Sequence, residues 1–167
     1  MRHPSLDIYA ESAYDHYLCL KPTPLMWLLM LWLSREITLP LIVGMAQMAN
    51  VDPSALSALR RFWALDFSLV PAVIAALVLV TFFRRVPKAS RAVRWLFRHG
   101  AKLLSLAALL DALFILAAIV KTGELNDQTF LSCIALAADL VFLVYLLRSR
   151  RVRDTFHEFP APAPKPS

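Results

Sequence analysis

Four long apolar stretches decide most of what this chain can become. They run over residues 25–49, 63–83, 101–120 and 129–147. A bilayer's hydrocarbon core is about 30 Å thick and an α-helix rises about 1.5 Å per residue, so roughly twenty apolar residues cross it. Each stretch is long enough. No water reaches backbone N–H and C=O groups at that depth, so a crossing segment satisfies them internally as a helix. A transmembrane barrel would instead need short strands of alternating polarity, and the sequence has none. The expected fold is an all-α membrane protein, an antiparallel bundle of four transmembrane helices. With 59% hydrophobic residues and a mean hydropathy of +0.58, the chain also exceeds the roughly 45–50% apolar content of a soluble domain.

Residues 1–24 are polar and form an N-terminal tail, with Tyr14 to Pro22 as an interfacial anchor. The first apolar run begins only at Leu25 and is too long for a cleaved signal segment. Asp52-Pro53 pairs a helix cap with proline at a first helical position, a start signal ahead of the second stretch. Thr122-Gly123 can end the third helix, and Asn126 or Asp127 can cap the fourth. So short a connection makes the last two helices antiparallel neighbours. The closing Ala161-Pro-Ala-Pro-Lys-Pro-Ser run is too proline-rich to pack and is expected to be disordered.

Orientation follows from the cations. Arg2 and Lys21 lie in the N-terminal tail. The connection 84–100 holds Arg84, Arg85, Lys88, Arg91, Arg94 and Arg98, and the tail 148–167 holds Arg148, Arg150, Arg151, Arg153 and Lys165. Only Arg60, Arg61 and Lys121 fall on the opposite side. This asymmetry places both termini in the cytoplasm, as an even number of spans also requires. The connection reads as an amphipathic helix with Arg84, Lys88, Arg91, Arg94 and Arg98 on or near one face. Together with Arg85 and the arginines of the C-terminal tail, these cations suit contact with an anionic inner leaflet or a protein partner. So short a membrane-tethered stretch is not expected to bind nucleic acid.

Ionisable residues also occur where they are costly. Arg35 and Glu36 lie in the first stretch, Asp111 in the third and Asp139 in the fourth, all near mid-membrane. A charge there costs on the order of 2.5–3.5 kcal/mol on insertion scales, so it faces other helices and finds partners. Small residues accompany the acids: Ser132 and Ala135 with Asp139, and Ala107, Ala108 and Ala118 with Asp111. The second stretch carries Ser68, Ala72, Ala75 and Ala76. Such residues let helices approach closely. Arg35 is the natural partner of one or both aspartates. Pro40 removes the bond that the Glu36 carbonyl would accept, so a kink or a freed carbonyl is expected beside the pair. Such a cluster fixes helix register, binds a partner helix or carries protons.

No catalytic constellation accompanies these groups. Three glycines leave no room for a phosphate-cradling loop, and no serine stands in a nucleophile elbow. His3, His16, His99 and His157 have no spacing suited to a metal. Cys19 and Cys133 belong at different levels and are not expected to pair. The chain is therefore expected to be no enzyme and to need no cofactor and no metal.

Two segments carry a family likeness. One is Tyr145 to Pro160, with the element Arg-Val-Arg-Asp-Thr-Phe ending at Phe156. The other is Leu20 to Trp27, leading into an apolar run with Ser34-Arg35 at its middle. Over most of its length the chain resembles a family of bacterial inner-membrane proteins of unknown function with four spans. The resemblance implies a bacterial inner membrane and assigns no activity. Phe156 and Phe159 either re-enter the interface or pack under the bundle, and the C-terminal element can alternatively dock a partner. The functional expectation is a non-enzymatic membrane subunit or accessory protein, binding anionic lipid, another membrane protein or a second copy. The alternative is a small proton- or ion-coupled transporter working through Arg35, Asp111 and Asp139.

Overall fold

The structure is a computed structural model. It describes residues 9–15, 17, 19–49, 69–122 and 127–160, apart from the side chains of residues 11, 122, 127 and 128. The second stretch before residue 69, the Asp52-Pro53 start signal, the 123–126 connection and the proline-rich end lie outside the described residues. Those described are helical and include no β-strand. After a short 3-10 turn at Glu11–Ala13 come α1 (Pro24–Leu33), α2 (Arg35–Met48), α3 (Leu69–Phe83) and α4 (Arg91–Arg98). These are followed by α5 (Gly100–Thr122), α6 (Asp127–Arg148) and α7 (Arg150–His157).

Two helices are long and apolar enough to cross a membrane, Gly100–Lys121 and Thr129–Arg148, with mean hydropathies of 2.6 and 2.4. The pair α1 and α2 would make a third only as one broken span, since its halves are bent by 84°. α3 is apolar but shorter, at 15 residues.

The first apolar stretch is thus not the single helix expected over residues 25–49. α1 starts well: Thr23 accepts the Met26 N–H at 3.2 Å, and Pro24 opens the first turn. It ends at Ser34, not at Pro40, which sits exposed inside α2. Ser34 is fully buried and bonds backward, its hydroxyl donating to the Leu31 carbonyl at 3.3 Å. Its own carbonyl accepts from the N–H groups of Ile37 and Thr38 and from the Thr38 hydroxyl. Hydroxyls that bond back to preceding carbonyls bend helices. The break lies beside Arg35 and Glu36, where the sequence placed a disturbance, but serine and threonine accompany it rather than proline.

The core follows the helices. Met26, Leu29, Met30 and Leu33 of α1 meet Ala75 and Val78 of α3, Leu104, Ala107 and Ala108 of α5, and Phe142 and Leu146 of α6. The alanines are buried and allow close approach, as their pattern predicted. α5 and α6 make the most extensive helix pair, and α3 packs on α5. The opposite faces remain apolar and exposed, with Leu113, Leu116, Val141 and Val144 among them. Such faces suit hydrocarbon.

At one end the core continues into aromatic rings. Phe97 of α4 lies 5.2 Å from Phe82, 5.3 Å from Phe156 and 5.5 Å from Phe159. Phe156 is only 2% exposed, so it packs under the helices. Gly100 makes room for it, because a Cβ there would run into the Phe156 ring.

Candidate functional sites

The four charges that interrupt the apolar stretches lie close together. Arg35 opens α2, and its Nη1 donates to Asp111 Oδ2 at 2.9 Å and to the Trp32 carbonyl at 3.1 Å. Its Nε lies 3.8 Å from Glu36 Oε1. The guanidinium also stands 4.9 Å from the Trp32 ring centroid. Only 7% of the Arg35 side chain and 3% of the Asp111 side chain is exposed. Asp139 does not bond to Arg35. Its Oδ1 accepts the Trp32 indole N–H at 2.9 Å. Its Oδ2 is buried with no hydrogen-bond partner among the described residues, and the Asp111 carboxyl adjoins it.

This arrangement ties the break between α1 and α2 to both long helices. Arg35 reaches α5 through Asp111, and Trp32 reaches α6 through Asp139. The charged members were legible in the sequence, which left Arg35 to one or both aspartates, and the structure pairs it with Asp111. The sequence did not supply Trp32, whose indole had no visible reason to face a carboxylate rather than a headgroup.

The second site gathers at the end where α1 begins and α6 finishes. There the Thr23 and Tyr145 hydroxyls bond at 2.8 Å. Both tails dock here. Tyr9 donates to Asp154 Oδ2 at 2.8 Å, and the Leu20 N–H donates to Glu158 Oε2 at 2.7 Å. Tyr14 and Leu20 form an antiparallel bridge that folds the N-terminal tail back on itself.

Arg85 holds this junction and departs from the surface contact expected of it. It is 7% exposed, donates Nη1 to the Leu20 carbonyl at 2.9 Å and Nη2 to the Glu158 carbonyl, and lies over the Phe97 ring. Its charge is spent on carbonyls of both tails, so it is not free to meet headgroups. The connection is also not one continuous helix. Residues 84–90 form turns, Pro87 among them, and helix resumes at Arg91 after Ser90 accepts the Val93 N–H. Arg84, Lys88, Arg91, Arg98, Arg148, Arg150 and Arg153 are exposed, whereas Arg94 and Arg151 are half-buried.

Two groups in the junction titrate away from their ordinary values. Desolvation, reinforced by the hydrogen bond to Asp154, raises the Tyr9 phenol above 10.0. Burial raises the Cys19 thiol above 9.0, although the nearby Arg85 charge pulls the other way. Cys19 and Cys133 are both free thiols, the first buried and the second exposed. Among the described residues no group of three His, Cys, Asp or Glu side chains could hold a metal.

Long apolar helices with a buried charge cluster, closed at one end by a basic junction, define a helical membrane protein. The chain belongs to the family described as "Protein of unknown function (DUF2919)", whose model matches residues 9–158. That match runs from the tyrosine that binds Asp154 to the glutamate that binds Leu20. No curated protein and no solved structure matches the chain.

Proposed function

We propose that the chain is a multi-pass protein of a bacterial inner membrane with four antiparallel spans and both termini in the cytoplasm. In this reading α1 and α2 form one broken span, and α3 belongs to the second. The docking of both tails at one end of the helices supports it. We further propose a non-enzymatic subunit or accessory protein that uses its basic end to bind other membrane proteins, a second copy or anionic lipid.

One observation carries this reading. The Arg85 clasp consumes one cation to join the tails to α4, which leaves seven arginines and lysines of the connection and C-terminal tail exposed around a built junction. A chain that needed only positive-inside topology could leave such a segment unstructured. The test is reconstitution of the purified protein in sealed vesicles. No ion or proton flux is expected, and robust flux by the protein alone would overturn the reading.

A second reading rests on a separate observation, the buried Asp139 Oδ2 that finds no donor among the described residues, on a carboxyl near that of Asp111. Two acceptors in contact are accommodated by a proton or a cation between them. A transporter working there would lose flux in Asp111→Asn and Asp139→Asn variants that still assemble. Variants that fail to fold would instead make the acids structural.

A further inference from the structure

α4 and α7 meet over the aromatic cluster and leave a cavity of about 520 Å³ between them. Arg94, Arg98, His99 and His157 line it, with Phe97 and Phe156 beneath. Among the described residues no acidic side chain lines it. The volume falls within the range of roughly 300–1,000 Å³ typical of small-molecule sites. The cavity therefore combines two arginines and two histidines with aromatic walls.

The donors are positioned in advance. Arg94 is fixed by donating Nη2 to the Pro87 carbonyl at 2.7 Å, with its guanidinium 5.6 Å from the Phe159 ring centroid. Its Nε is buried and has no hydrogen-bond partner among the described residues. His99 Nδ1 bonds the Trp95 carbonyl at 2.9 Å. A carbonyl only accepts, so the proton is on Nδ1, and Nε2 of the neutral ring accepts, which suits a hydroxyl of the ligand rather than its phosphate oxygens. The Trp95 ring stacks on this imidazole at 4.6 Å, which holds the ring's orientation.

The location selects among anions. Gly100 begins α5 directly after His99, so the cavity sits at the foot of a 23-residue apolar helix. Trp95 stands 58% exposed beside it, as interfacial tryptophans do. Guanidinium groups suit phosphate oxygens because their donors form a planar fork.

We propose that this cavity binds the phosphate of an anionic phospholipid headgroup, with Arg94 and Arg98 on the phosphate oxygens and the more exposed Trp95 and Phe159 beside the glycerol and first acyl carbons. The proposal rests on the reading above that this end faces an anionic leaflet. It adds a defined seat to what would otherwise be diffuse attraction. The recognised chemistry is a phosphate oxyanion, and free phosphate is its other source.

Native mass spectrometry of the full-length protein in an uncharged detergent tests this. The probes are phosphatidylglycerol, phosphatidylcholine of equal chain length, and inorganic phosphate as competitor. One phosphatidylglycerol per chain is expected, preferred about tenfold over phosphatidylcholine. Arg98→Ala and Arg94→Ala should each weaken it about tenfold, the loss of a charge-assisted hydrogen bond. Arg84→Ala and Arg148→Ala, exposed cations outside the cavity, should leave it unchanged. Because Arg98 is exposed, its variant tests the site even if Arg94→Ala misfolds. Arg98-dependent binding of inorganic phosphate with no lipid preference would keep the phosphate seat and assign it to free phosphate. Equal weakening in all four variants would overturn the seat yet leave the proposed subunit role intact. Equal retention of both lipids without Arg98-dependent phosphate binding would overturn it as well.

Discussion

Replacing Asp111 with leucine should destabilise the protein by about 3 kcal/mol. The carboxylate accepts from Arg35 at 2.9 Å, and both side chains are nearly inaccessible. Removing one partner of such a pair typically costs about 3–5 kcal/mol, because the other charge stays buried and uncompensated. The lower end applies here, since Arg35 keeps the Trp32 carbonyl at 3.1 Å and Glu36 at 3.8 Å. Arg35→Met should cost more, because it leaves the buried Asp111 without Arg35 and beside Asp139. The double variant should then cost less than the two singles together, by about 2 kcal/mol, as contacting residues do. The assay is reversible unfolding in mixed micelles, followed by helical circular dichroism across the four proteins of the cycle. A loss under about 1 kcal/mol for Asp111→Leu, or strict additivity, would mean that water screens the pair. The interior account would then fail.

Other expectations address the remaining contacts. Trp32→Phe should cost about 1–3 kcal/mol in the same assay by removing the indole donor to Asp139 Oδ1; a neutral result would remove Trp32 from the site. Gly100→Ala should force the Phe156 ring aside and cost about 1–3 kcal/mol, and limited proteolysis should then cleave the C-terminal tail faster than in wild type. Tyr9 and Cys19 have folded-state values raised above their unfolded ones. Their contribution is therefore complete below about pH 9 and lost as pH rises through the higher folded values. Protease protection of the N-terminal tail should fall in that alkaline window and not between pH 6 and 8 (roughly the neutral range). Labelling of single cysteines placed at positions 10 and 160 by a membrane-impermeant reagent should find both on the cytoplasmic side; opposite sides would rule out an even number of crossings.

What was legible in the sequence is what depends on composition along a line. The apolar lengths of α5 and α6, the alanine faces around Asp111 and Asp139, and the pairing of Arg35 follow from hydrocarbon's intolerance of charge and of bulk between close helices. The break at Ser34 was less legible. Proline marks a lost backbone bond openly, whereas a serine bends a helix only through the carbonyl it selects, which depends on the folded neighbourhood. Arg85 was hidden for a similar reason. Beside Arg84 and Lys88 it reads as one more surface cation, yet Arg85 has two tail carbonyls within reach. Those carbonyls belong to residues 65 and 73 positions away. The same holds for Glu158 and Asp154, whose partners lie at the far end of the chain.

The most direct test of the proposed role is a mild-detergent pull-down of the tagged protein from native membranes, quantified by mass spectrometry. Wild type is compared with Arg35→Ala and with a chain truncated after Leu147. The account predicts a stoichiometric membrane-protein partner that the truncation loses, because removing α7 opens the junction it shares with α4 and the N-terminal tail. Finding no partner in wild type, together with vesicle flux abolished by Asp111→Asn, would contradict it and leave transport through the charge cluster as the function.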